Sequence, residues 1–421
     1  MNIRRLLLYF LLLLSPAWLQ ARQQDTLFRL YKAKQFSHLH ELNNTPSHPL
    51  YYFYSAVYAN ACNQPATSNQ LLKKYIKKKK KPASFIAFDY YSLLHDNYVR
   101  SFQYREAARS GRYLLKHYSN RYTGRDLQGQ EYATLIWKAL TGEPAQQIKQ
   151  PVSDSIPFKR DIAGLINIQV TSSGQQGQFI FDTGAGLSSV SESYARQLGF
   201  RILPDTGIYV AGFTGIYNPV RIAVALELRF GSIVIYNEPF LVFRDEALSF
   251  ANGAYKINGI IGFPVAKELG RITITRKSLL IDAHREDNSF AKNFFVEQLR
   301  PIVLLSYKGK LLPFNFDTGA GSSDFLRPFY ELDSNLLKAT GKYMDKQSAS
   351  AGGAHTRRIL EIPNLKLQLG TQTVTIPLAG VDPTAYHISS QELYGNIGQD
   401  LLKQYNKVIL DFGNNVLRLE F

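Results

Sequence analysis

The run Phe-Asp-Thr-Gly-Ala-Gly occurs twice in this 421-residue chain, from Phe181 to Gly186 and from Phe316 to Gly321, each time after an apolar approach. One carboxylate on a glycine turn is an ordinary turn acceptor. Two on equivalent turns of a duplicated chain, Asp182 and Asp317, can be brought face to face by a pseudo-two-fold axis. Like charges at that separation resist ionising together, so such a pair holds one proton between its members over a broad range of pH. The ionised oxygen can take a proton from a bound water while the protonated partner hydrogen-bonds a carbonyl and later protonates a leaving nitrogen. That is general acid–base chemistry with no covalent intermediate. The sequence gives neither aspartate a fixed role, because the pair titrates as one.

The neighbours suit this task. Gly184 and Gly319 let the backbone turn sharply. Thr183 and Thr318 offer hydroxyls and backbone donors that could lock the two loops across the axis. Ala185 and Ala320 supply no hydroxyl to the carboxylates, which predicts a less acidic pair than a serine there would give, and activity extending towards neutral pH. A third Asp-Thr-Gly, at Asp205, follows Pro204, lacks the alanine and has no counterpart, so it reads as a turn. Asp324, close after the second motif, reads as a surface carboxylate that could tune the cleft. The eight histidines make no metal-spaced cluster, and neither a phosphate-cradling glycine loop nor a Gly-x-Ser-x-Gly turn is present. No metal and no cofactor is therefore expected.

The elements that position the aspartates are duplicated as well. Asn258-Gly-Ile-Ile-Gly262 ends 80 residues after Asp182, and Gly395-Asn-Ile-Gly398 ends 81 after Asp317. Beyond these glycines Val265 aligns with Leu401, Lys267 with Lys403, Ile272 with Val408 and Ile274 with Leu410. A repeat of about 130 residues is too long for a solenoid or propeller. Alternating runs such as Leu165 to Val170, Ile222 to Leu228, Ile272 to Ile274, Leu365 to Leu369 and those within Val408 to Leu417 predict strands. A short helix is expected at Ser191 to Leu198, after the first motif.

The doubled motif with its later apolar-glycine elements resembles the retropepsin-like aspartic proteases over about residues 158 to 421. The resemblance implies a mainly β, two-lobed pepsin or retropepsin-like acid-protease fold, with lobes at 158–290 and 291–421. It implies Asp182 and Asp317 as the catalytic pair, supported by Thr183, Gly184, Ala185, Thr318, Gly319 and Ala320. It also implies that Ile260-Ile261-Gly262 and Asn396-Ile397-Gly398 pack behind the motif loops, although Asn396 departs from the apolar pair usual there. Flap hairpins are expected at Gly212, Phe213 and Gly215 and at Gly352 and Gly353, where plain hairpin turns are the alternative. With two flaps, the chain would resemble a retroviral protease dimer with its halves fused.

The first 140 residues differ in kind. Tyrosines and leucines recur at helical spacing, as in Tyr51, Tyr54, Tyr58 and Tyr90, Tyr91, Leu94, Tyr98, which predicts stacked helix pairs over 22–140. The stretch from Phe102 to Tyr118 is similar to one tetratricopeptide unit. A linker is expected at 141–157 from its prolines and polar residues. The net charge of +16 also belongs here, since residues 1 to 150 hold 22 Lys/Arg against 8 Asp/Glu and the remainder 27 against 25. It centres on Lys73 to Lys81, a solvated helix end or a contact for an anionic surface rather than for nucleic acid. Arg4-Arg5, the apolar run Leu6 to Leu14 and a small residue at Ala21 read as a signal peptide over 1–21. With the single cysteine Cys62, no intrachain disulfide can form, which favours a bacterial periplasmic or envelope protein, or a secreted one.

The expectation is thus a multidomain exported aspartic endopeptidase, monomeric, acting on a peptide or protein substrate. Its helical region would recruit a protein partner, bind the envelope or cover the cleft. The alternatives are a catalytically silent peptide-binding scaffold and an obligate dimer whose lobes pair between chains.

Overall fold

The computed structural model describes residues 26–149, 153–212, 215–282, 286–287, 289–350, 353–385 and 393–421. The expected signal peptide, Phe213 and Gly352 lie outside them.

Helices Phe36–Leu42, Tyr51–Ala61, Pro65–Lys79, Ala87–Arg100, Tyr104–Tyr118 and Gly124–Ala139 pack each on the next. Their buried faces follow the helical period, as in Tyr104, Ala107, Ala108, Gly111 and Leu114. Gly111 permits close crossing, since a Cβ there would stand 2.6 Å from Thr134 Oγ1. Between the helices lies a paired polar core: Asn97 Nδ2 donates to Ser68 Oγ and to Asn69 Oδ1, both at 2.9 Å, and buried Arg100 donates to the Asn60 carbonyl at 2.7 Å. The lysine run occupies the end of Pro65–Lys79, with Leu72 and Tyr75 buried and Lys73, Lys74 and Lys77 to Lys81 exposed.

From Ser153 onward the chain is mainly strand. In the N-terminal half the sheet runs, in spatial order, through Ile166–Ser172, Gln175–Phe181, Gly259–Ile261, Ser188–Ser191, Ile233–Phe243 and Tyr217–Phe230. The C-terminal half repeats the order with Arg300–Tyr307, Lys310–Phe316, Gly395–Ile397, Asp324–Phe325, Gln372–Val381 and Gly353–Leu369. A further antiparallel layer joins the halves, with Lys407–Asp411 against Arg271–Ile274, pairing Leu410 with Ile272 and Val408 with Ile274. One apolar core runs through both halves, from Phe179 and Phe240 to Phe314 and Phe329.

The expected linker is corrected by the pairing. Gln147–Lys149 pairs with the strand Ile233–Phe243, and Ser153–Arg160 pairs with Ser278–Asp282 on one side and Ile166–Ser172 on the other. Its proline did not exclude a strand, because Ile156 alternates inward and is buried there.

The helices dock on both halves. Phe36, Phe53 and Tyr54 share a core with Phe295, Ile302 and Leu304, while Tyr104, Ile136 and Trp137 share another with Ile208, Val220 and Val224. Polar contacts cross the same seam: Asn63 Nδ2 donates to the Lys267 carbonyl at 3.1 Å, and buried Lys267 Nζ to the Arg100 carbonyl at 3.1 Å.

Candidate active site

Each motif loop is the end of a strand that pairs in parallel with the later glycine element. Ile180 and Phe181 lie beside Ile260 and Ile261, and Asn315 and Phe316 beside Asn396 and Ile397. The Asp182 N–H donates to the Ile261 carbonyl at 3.0 Å, and the Asp317 N–H to that of Ile397 at 2.9 Å. The chain then folds over the element's glycine. Phe263 N–H donates to the Ala185 carbonyl at 2.8 Å and Gln399 N–H to that of Ala320 at 2.9 Å. No side chain fits beneath these loops: a Cβ on Gly262 would be 2.8 Å from the Ala185 carbonyl oxygen, and one on Gly398 would be 2.7 Å from Ser322.

The structure brings the two loops together within one chain. The Thr183 N–H donates to Thr318 Oγ1 at 3.0 Å and the Thr318 N–H to Thr183 Oγ1 at 3.1 Å. Each hydroxyl passes its own proton to a carbonyl of the opposite strand, Thr183 to Phe316 and Thr318 to Phe181, both at 2.8 Å. Both threonines are fully buried, so all four exchanged bonds are sheltered from water. Each carboxylate lies against the opposite glycine. A Cβ on Gly184 would stand 2.3 Å from Asp317 Cγ, and one on Gly319 would stand 2.2 Å from Asp182 Cγ. Glycine is therefore required at both places by the neighbouring acid rather than by the turn, since neither Gly184 nor Gly319 has a positive φ.

Asp182 Oδ1 accepts from the Gly184 and Ala185 N–H groups at 2.8 and 3.1 Å, and Asp317 Oδ1 from Gly319 N–H at 2.8 Å. Burial pushes both carboxyls up, and Asp182 well above the usual carboxylate range, with the charge of Asp317 adding to the effect.

Behind each loop a serine bridges the glycine element to an acid, fully buried Glu238 in the first half and partly exposed Asp400 in the second. Gly262 N–H donates to Ser188 Oγ at 3.0 Å, which donates to Glu238 Oε1 at 2.6 Å. In the other half Gly398 N–H donates to Ser323 Oγ at 3.0 Å, which donates to Asp400 Oδ1 at 2.6 Å. Burial pushes the Glu238 carboxyl up to about 8. Sequence reading passed over Glu238 and Asp400, since they sit on non-equivalent elements and break the repeat. The second loop is also held from behind: Gln399 Nε2 donates to the Thr318 carbonyl at 2.7 Å, and its Oε1 accepts from Arg160 Nη1 at 2.9 Å.

Two hairpins stand where flaps were expected. Ile208–Ala211 pairs with Tyr217–Phe230 and closes through Gly215 N–H to the Gly212 carbonyl at 2.9 Å; Lys342–Ser350 pairs with Gly353–Leu369. Gly215 and Gly353 have φ of 73° and 139°, which favour glycine. The tips adjoin, since a Cβ on Gly353 would be 3.4 Å from Ile216 Cδ1. The helix Gly124–Ala139 braces the first hairpin through Tyr132, whose ring lies 5.5 Å from Tyr209 and 5.8 Å from Tyr217.

Asp205 is an exposed turn residue whose Oδ1 accepts from Gly207 N–H at 2.9 Å, as its surroundings predicted. Asp324, read as a surface carboxylate, is instead largely buried and paired with Lys346 at 2.8 Å and Arg357 at 3.4 Å from the second hairpin. Among the described residues no group of His, Cys, Asp and Glu could hold a metal, and no helix is long and apolar enough to cross a membrane.

A family model described as aspartyl protease matches residues 168–265. The match runs from the strand before the first motif to just past Gly262, so the second loop lies outside it. No curated protein matches the chain.

Proposed function

We propose that this chain is an aspartic endopeptidase in which Asp182 and Asp317 activate water against a peptide bond. The observation that carries the reading is the reciprocal seating of each carboxylate against the other loop's glycine, fixed by the exchanged threonine bonds. The aspartyl protease match over 168–265 supports the protease class from the sequence side. In this reading the two carboxyls share one proton, water is the nucleophile, and no metal or covalent intermediate takes part.

An extended peptide would lie beneath the two hairpins and bond to their backbones, with Gly212, Gly215 and Gly353 giving the tips room to open. The units would be 22–140, a tetratricopeptide-like helical domain, and lobes 158–290 and 291–421, with residues 1–21 removed on export to the periplasm, envelope or medium. One chain would make one site as a monomer, since both loops belong to it. The helices, packed on both lobes and on the first hairpin, would hold the lobes in register and steer substrate to the braced hairpin.

The test is cleavage of a proteome-derived peptide library across pH 3 to 8 by the chain from Arg22, beside Asp182→Asn and Asp317→Asn. Cleavage lost in both variants, with unfolding temperatures retained, is the expected result. A well-folded wild-type chain that cleaves nothing would sink the reading in favour of a silent peptide-binding scaffold.

A further inference from the structure

The two halves of the site share their backbone pairing and threonine exchange, and differ at a pair of neighbouring positions beside the aspartate. Two residues before the aspartate, the first half has Ile180 and the second Asn315; two residues before the later glycine, the first has Ile260 and the second Asn396. Each pair is in register across its parallel strands, Ile180 beside Ile260 and Asn315 beside Asn396. An apolar pair in one half thus stands where the other half has an amide pair.

The amides form a relay that ends on one aspartate. Asn315 Nδ2 donates to Asn396 Oδ1 at 2.7 Å, and Asn396 Nδ2 donates to Asp317 Oδ2 at 3.1 Å. Asp317 therefore accepts on both oxygens, from Gly319 N–H and from the amide. Ile260, in the equivalent place beside Asp182, has nothing to donate. The relay's direction is set by its far end. Asn315 Oδ1 is buried without a partner, and reversing both amides would put an NH2 group there with no acceptor, a costlier orphan than a carbonyl oxygen.

We infer that Asn396 is a positioning residue that breaks the degeneracy of the pair, holding the negative charge on Asp317 and leaving the shared proton on Asp182. A hydrogen bond donated to the ionised form of a carboxylate favours that form. The direction of the shifts agrees: burial raises both carboxyls, the bonds from Asp182 and Asn396 offset part of it on Asp317, and Asp182 is displaced further.

Resting on the proposed peptidase reading, this fixes which acid does what. Asp317 takes a proton from water as its oxygen bonds to the carbonyl carbon, and Asp182 gives its proton to the carbonyl oxygen. As the C–N bond breaks, Asp317 passes its proton to the nitrogen and Asp182 recovers one from a hydroxyl of the diol. The pair ends as it began, with one proton on Asp182. A substrate would then bind with a preferred chain direction relative to the lobes, since only one half supplies the base.

The experiment compares pH profiles of kcat/KM, on one peptide taken from the library, for wild type, Asn396→Ile and the double variant Asn315→Ile/Asn396→Ile, which rebuilds the first half's apolar pair. Protonation of Asp317 sets the acid limb, so that limb should move up by about one pH unit while the alkaline limb stays. An acid limb that stays put, or moves down because the amide had been accepting from a protonated Asp317, overturns the inference. Asn396→Ser, which keeps a small polar side chain, carries the same expectation if the isoleucine variants do not fold. Should wild type cleave nothing, the peptidase reading fails by itself. 13C titration of aspartate-labelled protein still decides the inference then: the lower of the two macroscopic pKa values of the pair must rise in the variants.

Discussion

The two motif halves invite comparison because the chain made the same device twice and then altered one copy. What stayed identical is geometric: the threonine exchange, the glycine under each carboxylate, and the serine that ties the glycine element to an acid. What diverged is electrostatic. The first half surrounds its aspartate with Ile180, Ile260 and Ser189, and the second with Asn315, Asn396 and Asp324, the last paired directly across from Asn396. In this chain the threonines, glycines and serines that hold the loops are the same in both halves, whereas the residues beside the carboxyls differ in polarity on the same backbone pairing. The supporting acids also differ in origin, since Glu238 comes from a strand and Asp400 from a helix turn, yet both accept from the equivalent serine hydroxyl.

The largest expected effect treats the halves alike. Asp182→Asn and Asp317→Asn should each lower kcat by about 10³-fold or more, since each removes one partner of the shared proton. Single-turnover kinetics on a good peptide check this, and a variant retaining a tenth of the activity would break the two-acid site.

Thr183→Val and Thr318→Val should come next, again as equals. Each deletion leaves a buried N–H and a buried carbonyl unmet across the seam, a cost of about 2–4 kcal/mol. Urea unfolding measures it, and unequal losses would show that the lobes do not share the load.

The supporting acids come next. The Glu238 carboxyl is raised from 4.5 to about 8, so above pH 4.5 the folded chain keeps a proton that the unfolded chain has released. Its contribution is fully present below about pH 4.5, falls as pH rises, and is lost above about 8. Glu238→Gln should therefore flatten the pH dependence of unfolding between pH 5 and 8, by roughly 2–4 kcal/mol across that window. Asp400→Asn should cost about 1–3 kcal/mol, because Asp400 accepts from both the Ser323 N–H and hydroxyl and an amide nitrogen cannot. Calorimetry of both variants at pH 5 and 8 measures both effects.

The smallest effect belongs to the third Asp-Thr-Gly. Asp205→Asn should leave cleavage unchanged and stability within about 0.5 kcal/mol, as expected for an exposed turn. Any tenfold loss of activity there would mean that motif spelling matters more than placement.

Much of this was legible in the chain. The doubled motif, its 80- and 81-residue spacing to the glycine elements and the alternating runs foretold two similar β halves, and the tyrosine spacing foretold the helices. The Asn315 and Asn396 exchange was legible too, as a double departure at equivalent places, yet its meaning needed the strand register that sets the amides side by side. The linker reading failed because proline and polar content say nothing about a partner strand more than a hundred residues away, such as Ser278–Asp282 for Ser153–Arg160.

By itself, then, the sequence determined the local chemistry: two acids on glycine turns, threonines beside them, and the periods of strands and helices, all set by residues within a few positions of one another. Tertiary structure alone decided which groups meet across the chain. It put Gly319 beneath Asp182, aimed Asn396 at Asp317, buried Glu238 behind Ser188 and laid Tyr132 against the first hairpin. The reason is physical: hydrogen bonds and desolvation act over a few ångströms in space, and only the packed sheets bring together residues some 50 to 140 positions apart in the chain.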